Sequence, residues 1–575
     1  MATHVARRYL RTATWVPHSA LPRAPRVRVV SWRFRSRVAR LHPSTMASSH
    51  QVASSFDLSA FRRAMAPHQP LAFILLLAAA LRLLYVDAPL LDAHRWRQVD
   101  TAFMARAFYE GGINPFRPEA NWGGAHGYVE SEFPLLPAIV AVLYYVFGPD
   151  ETWGRVVVAT FSVGAVVLTY LLARQLLGTP AGLAGATLVA ISPSAVFYGR
   201  AFMPDTLMVF FSLSALLGFI RHAQSGSRRA LVWGSLSLAL AILVKLPGVL
   251  ALVPIACAVW KNRGRNALRD PRLIVALSVP CLVAAAWYVY AYSIYLHTGL
   301  TFGVIGTTKT YPLDVGPGPW PTAFSKWSSV ALLTSADFYS TLFARLYFVH
   351  LTPPGFAMAV IGLLAWRTVS WRRVADGWLL AMLAFIGAAG AGHMGHDYYQ
   401  LPLVPIGALY FAAVAWPAFD AGWIARTVGP GVVSRVVTGA VIGGVGLLCF
   451  LQSGVIQRHF RPANLDLRLW LAAQAIDGAT DNSGLMVVVD DYGVNSPMLL
   501  YFAHARGWSL DADTATVHVV SGLRLSKGAR YFATTRWAEV QRKQPDLAMF
   551  LESRRGLPLN NAPPNTVLFD LTQSR

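Results

Sequence analysis

The chain has 575 residues, of which 55% are hydrophobic and only 14% are charged, and its formal net charge is +22 at pH 7. Soluble domains carry about 25% charged residues, so this composition argues against an ordinary soluble protein. The positive charge does not indicate a nucleic-acid groove, because it is concentrated in residues 1–50, with ten arginines and no acid, and in short loops between apolar runs.

The first segment, residues 1–65, contains no apolar run that could act as a secretory signal. It is rich in arginine, serine and proline and almost free of acids, which superficially resembles an organellar transit peptide. Nothing in it could pack a hydrophobic core. We therefore expect a disordered basic cytoplasmic tail, or a gene start placed too early, with initiation at Met46 or Met65.

The next segment, residues 66–455, contains apolar blocks of 15–20 residues from Leu71 to Leu451. Such blocks predict an α-helical polytopic membrane protein. We expect about eleven transmembrane helices, together with juxtamembrane helices. The predicted crossings lie near 70–86, 156–173, 181–198, 205–220, 230–244, 246–260, 273–296, 353–366, 376–392, 401–418 and 436–453. The three cysteines all fall inside apolar runs and offer neither a disulfide framework nor a metal cluster.

Orientation follows from the basic loops, which are cytoplasmic by the positive-inside rule: Arg221–Arg229, Lys261–Arg272, Arg367–Arg373 and the stretch with Arg426 and Arg435. Five apolar segments precede Arg221, but two cytoplasmic ends require an even number of crossings. Phe133–Gly148 is the segment expected not to cross. Its 16 residues would reach roughly 24 Å as a helix, short of the ~30 Å hydrocarbon core. The stretch from Asp87 to about Trp153 is then one external loop.

The last segment, residues 456–575, changes character and predicts a small extracytoplasmic α/β domain. Strand-like, helix-like, strand-like, helix-like and strand-like stretches follow one another at 485–491, 496–508, 529–535, 536–554 and 566–571. Asp490 and Asp491 end the first strand. Such acids are more often turn or capping residues than ligand contacts.

Ionisable residues converge on the predicted outer boundary of the membrane. The external loop begins with LDAHRWRQVD, which carries Asp92, His94, Arg95, Arg97 and Asp100. The other external positions are Glu130 and Glu132, Arg200 and Asp205, and Lys245 in a hairpin turn. Charged groups beside hydrocarbon are costly and mark either interfacial anchors and structural ion pairs or a functional site. We favour a site for the set.

The chemistry that fits these residues is transfer of a group from a lipid phosphate. The leaving phosphate requires cations, here Lys245, Arg95, Arg97 and Arg200. An acceptor hydroxyl requires a carboxylate base, for which Asp92 is the first candidate. Glu130 or Asp205 would orient the acceptor, and Asp92 and Asp205 are the candidates for a divalent metal ion, whose requirement stays open. The remaining candidate pocket residues are His94, Asp100, His396 and Tyr399.

Several motifs in residues 70–410 resemble the type C membrane glycosyltransferases, the class of protein O-mannosyltransferases and lipid A aminoarabinose transferases. They are DAHRWRQVDTAFMAR, GYVESEFPLLP, WGR followed by a helix ending LLARQLLG, SPSAVFYGRAFMPDTLM, LVKLPG and HDYYQLPLVP. The resemblance implies that Asp92 is the catalytic aspartate of the first external loop. It places the acid of the second external loop at Asp205 and the lysine of the hairpin turn at Lys245.

The sequence departs from this pattern in two places. The usual acidic-Lys-Pro-Pro stretch reads Glu130-Ser-Glu-Phe-Pro134, so the expected phosphate-binding lysine is missing there and Arg95 or Arg97 would replace it. The residue after Asp92 is alanine, where many members have glutamate or histidine. These departures leave the donor sugar open.

The resemblance implies a glycosyltransferase of the plasma (inner) membrane that moves a sugar from a polyprenyl-phosphate-linked donor to an acceptor hydroxyl at the outer face, with inversion. The acceptor, whether protein, lipid or glycan, stays open. The alternative is a transporter or flippase for a lipid-linked or anionic substrate, but that reading predicts internal repeats and charges near the midplane. A third reading, a non-catalytic scaffold, leaves the convergent charges unexplained.

Overall fold

The computed structural model describes residues 69–305, 326–365, 372–429, 431–481 and 484–575. All of them belong to one compact unit, Ala64–Arg575. The expectations for residues 1–65 and for part of the basic loop Arg367–Arg373 fall outside the described residues.

The first part of the chain is almost entirely helical. In chain order it contains α1 (Gln69–Arg82), α2 (Arg95–Gly111), α3 (Leu135–Phe147), α4 (Glu151–Leu177), α5 (Thr179–Ile191), α6 (Pro193–Phe197), α7 (Asp205–Ser225), α8 (Arg228–Val244), α9 (Leu252–Arg263), α10 (Pro271–Thr298), α11 (Val330–Leu333), α12 (Ala336–Ala344), α13 (Pro353–Ala365), α14 (Arg372–Ala388), α15 (Gly390–Gly395), α16 (Leu403–Ala415), α17 (Ala421–Val428) and α18 (Val432–Phe460).

A helix is found at each segment predicted to cross the membrane. By length and composition, four helical stretches of the described chain are long and apolar enough to span: Glu151–Leu177, Asp205–Ser225, Pro271–Thr298 and Asp397–Phe419. The pair Ala336–His350 and Pro353–Leu364, bent by 107°, would make a fifth. The number of eleven crossings therefore stays a prediction.

Two short helices lie where the sequence placed the external loop. Helix α3 has 13 residues and ends at Gly148, whose positive φ of 88° stops it. Helix α2 was not predicted. It begins after His94, whose φ of 54° is left-handed, and it buries polar side chains such as Gln98 and Asp100 together with apolar ones. This mixed face hides the helical period that apolar residues alone would show.

The second part, after α18, contains the small C-terminal sheet that the sequence predicted, with helices around it. We call residues 464–575 the α/β domain, and its separation as a domain stays a prediction. It contains α19 (Asn464–Asp477), β1 (Leu485–Val489), α20 (Met498–Phe502), β2 (Gly507–Leu510), α21 (Val517–Lys527), β3 (Ala529–Thr534), α22 (Trp537–Lys543), α23 (Pro545–Glu552), β4 (Arg554–Gly556) and β5 (Val567–Ser574). The strand order is β2-β1-β3-β5-β4, with β1 parallel to β2 and β3, and β5 antiparallel to β3 and β4.

The element boundaries in this domain differ from the prediction at two points. The helix expected over 496–508 is only α20, because Gly507 and Trp508 pair with β1 as strand β2. The helix expected over 536–554 is broken between α22 and α23, since Pro545 cannot continue a helix that has already begun.

The α/β domain packs directly on the segment between α2 and α4. The amide of Gly507 donates to the carbonyl of Asn121 at 2.8 Å, and the Asn121 side chain donates to the carbonyl of Pro497 at 2.9 Å. Tyr501 donates its hydroxyl to Glu151 at the start of α4, at 2.6 Å. The domain therefore covers the loop that carries LDAHRWRQVD.

Candidate functional site

Asp92 is buried between two arginines. Its Oδ2 accepts from Nη2 of Arg200 at 2.6 Å and from Nη2 of Arg155 at 3.1 Å, and both arginines are fully buried. Its Oδ1 accepts from Nε2 of Gln98 at 2.5 Å. Both carboxylate oxygens are thus engaged by protein donors.

Gln98 connects this carboxylate to a distant part of the chain. Its Oε1 accepts from the amide of Phe202 at 3.1 Å, so α2 is fixed to the RAFMPD segment. Arg200, from the same segment, also donates to the carbonyl of Tyr85 at 3.0 Å and lies 4.2 Å from the ring centre of Phe460. Arg200 is therefore enclosed by protein groups rather than facing a pocket.

Arg97 and Glu132 form the ion pair that does face a pocket. Arg97 Nη2 lies 2.5 Å from Glu132 Oε2, and each side chain keeps part of its surface exposed. Burial raises the pKa of Glu132, but the charges of Arg97 and Lys245 outweigh this effect, so that the pKa is lowered overall. The pocket is lined by Arg97, Thr101, Met104, Ser131, Glu132, Phe133, Pro134, Leu136, Pro137, Pro204, Val244 and Phe302.

Lys245 and Asp205 lie at the ends of two antiparallel helices and form a second ion pair, with Nζ 2.6 Å from Oδ1. The ammonium lies 4.7 Å and 5.3 Å from the ring centres of Tyr398 and Tyr399. Oδ2 of Asp205 is buried and has no hydrogen-bond partner among the described residues. This carboxylate oxygen is available to a further donor.

The turn after Lys245 depends on a glycine. A Cβ on Gly248 would lie 2.3 Å from the carbonyl oxygen of Ala241, so no larger residue fits. Lys245 itself is extended, with φ −161° and ψ 128°, and the Pro247 turn follows it. The LVKLPG motif thus ends α8 sharply and fixes where the lysine emerges.

Lys326 is a cation of this site that the sequence did not reveal. Its Nζ donates to the carbonyl of Gly303. Burial and the neighbouring charges of Lys245 and Arg97 lower the pKa of Lys326, against the opposing effect of Glu132. Lys326 lies 28 positions after Thr298, the end of α10, and no motif surrounds it in the sequence. It supplies a third positive charge that acts on Glu132, besides Arg97 and Lys245.

Asp397 collects hydrogen bonds at the other wall of the site. His94 Nε2 lies 2.8 Å from its Oδ1, the Tyr198 hydroxyl donates to the same oxygen, and His459 Nε2 lies 3.8 Å from Oδ2. The ring of the adjacent His396 contacts two tyrosine rings, with ring centres 5.2 Å from that of Tyr398 and 5.3 Å from that of Tyr399. Burial and the charges of Lys326 and Lys245 lower the pKa of His396 to about 3, so it is neutral.

Of the predicted site residues, Arg97 lines the pocket. Three others, Arg95, Glu130 and Asp100, are engaged elsewhere. Arg95 pairs with Asp466 of the α/β domain at 2.5 Å and donates to the Tyr492 hydroxyl at 2.7 Å. Glu130 is fully buried and accepts from the Thr301 hydroxyl and from the amide of Ile305. Its carboxylate therefore holds the loop that follows α10.

Asp100 is the third residue that is engaged elsewhere. It accepts from Nε1 of Trp122 at 3.3 Å, and burial raises its pKa to about 7. Asp490 of the α/β domain accepts from the amides of Tyr492 and Gly493 and from the Ser496 hydroxyl. This pattern is that of a turn-capping residue, which the sequence favoured over a ligand contact.

Among the described residues, no group of three or more histidine, cysteine, aspartate or glutamate side chains is arranged to hold a metal ion. Asp92 and Asp205, the metal candidates of the sequence, each have a cation as their immediate partner. Both oxygens of Asp92 are engaged by protein donors, whereas Oδ2 of Asp205 has no partner among the described residues.

The fold and the motifs confirm the resemblance to type C membrane glycosyltransferases. Residues 131–290, from the site loop into α10, match the family model described as dolichyl-phosphate-mannose-protein mannosyltransferase. This segment contains Glu132, Asp205 and Lys245. A search of the curated proteins finds no match.

Solved structures share the fold over most of the chain. ArnT from Cupriavidus metallidurans in the apo state has a TM-score of 0.59 at 14% identity, over 88% of this chain and 98% of that one. The structure of the same protein bound to undecaprenyl phosphate has a TM-score of 0.56 at 14% identity, over 87% and 97%. The apo oligosaccharyltransferase of Archaeoglobus fulgidus has a TM-score of 0.50 at 12% identity, over 86% and 75%.

Proposed function

We propose that this protein transfers a sugar from a polyprenyl-phosphate-linked donor to an acceptor hydroxyl at the extracytoplasmic face of the plasma (inner) membrane, with inversion at the anomeric carbon. The observation that carries the proposal is the convergence of three cations, Arg97, Lys245 and Lys326, around Glu132 beside an apolar-walled pocket. The family match to residues 131–290 and the ArnT structure bound to undecaprenyl phosphate support it.

The cations are assigned to the donor phosphate. An anion between Arg97, Lys245 and Lys326 would accept charge-assisted hydrogen bonds and relieve the mutual repulsion of the three cations. Phe133 and Phe302, the half-buried apolar side chains that line the pocket, would lie against the polyprenyl chain. In the displacement, the acceptor oxygen forms a bond to the anomeric carbon from the side opposite the phosphate. The bond between that carbon and the phosphate oxygen breaks, and its electron pair leaves with the phosphate.

The base is assigned to Glu132 on geometric grounds. Its carboxylate lines the pocket, and its lowered pKa keeps it ionised and able to accept the proton of the acceptor hydroxyl. Asp92, to which the resemblance gives this role, has both oxygens engaged by Arg155, Arg200 and Gln98. We assign Asp92 as a positioning residue, because Gln98 and the start of α2 carry Arg97 into the pocket.

Asp205 is assigned to orienting the acceptor through its unpartnered Oδ2, while Oδ1 holds Lys245. A transporter or flippase is less compatible with this arrangement. Lys245 and Asp205 lie at the ends of α7 and α8, whereas a transported substrate is bound near the middle of the membrane.

The orientation is part of the proposal. We place Asp205, Lys245 and the α/β domain outside, and Arg228 and Arg263 inside, with about eleven crossings and α3 not crossing. Single cysteines at exposed positions 228 and 573, in a chain whose own three cysteines are replaced, would test it. A membrane-impermeant thiol reagent should label position 573 and leave position 228 unlabelled in intact cells. The reverse pattern would contradict the orientation.

The activity is tested in a deletion strain. Loss of a sugar from a cell-envelope glycan, lipid or protein, with accumulation of the polyprenyl-phosphate-linked donor, is the expected result, and mass spectrometry of both fractions measures it. Purified protein in lipid vesicles should then transfer that sugar from the synthetic donor. Movement of intact donor across the vesicle membrane without transfer would instead identify a flippase.

A further inference from the structure

A polar pocket lies at the end of the helix bundle opposite the candidate site. Helix α7 begins at Asp205 and ends at Ser225, and α8 packs against it and returns from Arg228 to Val244. A helix of this length spans about 30 Å. The turn between α7 and α8 is therefore too far from Lys245 to be part of the donor site.

This pocket carries positive charge without a carboxylate. Its lining residues are Gln175, Arg221, Gln224, Ser225, Ser227, Arg229, Ala230 and Trp233. The acid that follows α9 nearby, Asp270, pairs with Arg263 at 2.8 Å. Within the described part of the chain, neither Arg221 nor Arg229 forms an ion pair. Two uncompensated guanidinium groups in one concavity favour an anionic ligand.

The walls of the pocket are fixed by hydrogen bonds. Gln175 Nε2 donates to Gln224 Oε1 at 2.5 Å, which joins α4 to α7. Trp233 Nε1 donates to the Ser214 hydroxyl at 2.7 Å, so the indole is held in place. Ser227 caps the start of α8 by accepting from the amide of Ala230 at 3.3 Å. The positive end of the α8 dipole adds to the attraction for an anion.

An apolar surface continues from the pocket along the same helix. Val232, Trp233 and Leu236 of α8 are 68%, 60% and 61% exposed. Helix α10 packs beside α8, with the Ser235 hydroxyl donating to the carbonyl of Ala276 at 2.8 Å, and exposes Val275 and Val279. In a membrane these residues face acyl chains. The positively charged pocket at the α7–α8 turn is therefore continuous with the apolar surface of α8 and α10.

We propose that this pocket binds the phosphate-bearing headgroup of an anionic phospholipid, whose acyl chains lie along the exposed faces of α8 and α10. Arg221 and Arg229 would hold the phosphate oxygens, with hydrogen bonds from the serine and glutamine side chains of the rim. Free phosphate shares the charge but not the acyl chains, so the apolar surface favours the lipid. The inference is independent of the proposed transfer reaction.

The test measures retention of phosphatidylglycerol and phosphatidylcholine by the full-length protein in detergent, by native mass spectrometry. The variant Arg221→Gln with Arg229→Gln should retain about tenfold less phosphatidylglycerol, the loss expected when two solvent-exposed ionic contacts with the phosphate are removed. Arg228→Gln is the matched control, because Arg228 is exposed in the same turn but does not line the pocket. It should bind the lipid as the wild type does.

Three outcomes would overturn the inference. One is equal loss in Arg228→Gln, which would indicate a diffuse basic surface. Another is equal retention of phosphatidylcholine by the wild type. The third is displacement of phosphatidylglycerol by millimolar inorganic phosphate, which would assign the pocket to a soluble anion. Both lining arginines are exposed, so their replacement should leave the melting temperature unchanged. If the double variant fails to fold, Arg229→Gln alone should give a smaller loss of the same kind.

Discussion

Lys245 at the end of α8 and Asp205 at the start of α7 form a buried ion pair, with Nζ 2.6 Å from Oδ1. The pair closes the α7–α8 hairpin at the level where Arg97 pairs with Glu132, and Lys326 lies in the same electrostatic cluster. An ammonium has three donors, so Lys245 can keep Asp205 and still bind a phosphate oxygen. The site is thus an arrangement of ion pairs that can admit one further anion.

The first prediction separates the base from the positioning carboxylate. Glu132→Gln should lower the transfer rate by about 10²–10⁴-fold without weakening donor binding, because it removes the proton acceptor but leaves Arg97, Lys245 and Lys326 to hold the phosphate. Asp92→Asn should lower the melting temperature, because it leaves Arg155 and Arg200 buried without a full counter-charge. Transfer assays and thermal unfolding in detergent measure both. An Asp92→Asn variant that is inactive but as stable as the wild type would return the base to Asp92.

The second prediction concerns the donor phosphate. Lys326→Ala should weaken binding of the polyprenyl-phosphate sugar by roughly ten- to hundredfold, the effect of losing a hydrogen bond to a charged group worth about 1.5–3 kcal/mol. Lys326→Arg should restore part of the affinity. Binding is measured with the purified protein and labelled donor. Unchanged affinity in Lys326→Ala would remove this residue from the site.

Arg95 gives the third prediction. Its partners Asp466 and Tyr492 belong to the α/β domain, so Arg95→Ala should loosen that domain from α2 without removing a phosphate ligand. Limited proteolysis should cleave residues 461–463 faster in the variant, and donor affinity should stay within about twofold of the wild type. A loss of donor affinity as large as in Lys326→Ala would place Arg95 at the phosphate.

The fourth prediction concerns pH. The pKa of Asp100 is raised by burial to about 7, above its ordinary value of 3.8, so the folded protein keeps a proton that the unfolded chain releases. The contribution of Asp100 to the free energy of unfolding therefore falls as the pH rises from about 4 to about 7. The variant Asp100→Asn should lack this pH-dependent contribution to stability. The difference in melting temperature, variant minus wild type, should increase between pH 5 and pH 8, and a constant difference would contradict the assignment.

Some of the fold could be predicted because hydropathy and turn residues encode it locally. Apolar runs located the helices, and the short β-branched run LMVVV near 485 located β1. Helix α2 could not be found this way, since its buried face includes Gln98 and Asp100, whose partners Asp92 and Trp122 are supplied by other parts of the loop. In the α/β domain, the predicted helix over 496–508 was too long, because Gly507 and Trp508 pair with β1 and therefore form a strand.

The sequence by itself determined that the charged residues gather beside a membrane, because a charge at the edge of an apolar run has a defined depth. Only the tertiary structure decided which charge meets which. Arg95 and Arg97 are two positions apart on α2, and a helix turns about 200° over that distance. One therefore reaches Asp466 of the α/β domain, and the other reaches Glu132 in the pocket. Partners separated by 35 to 371 positions in the chain meet only through packing, which no local pattern records.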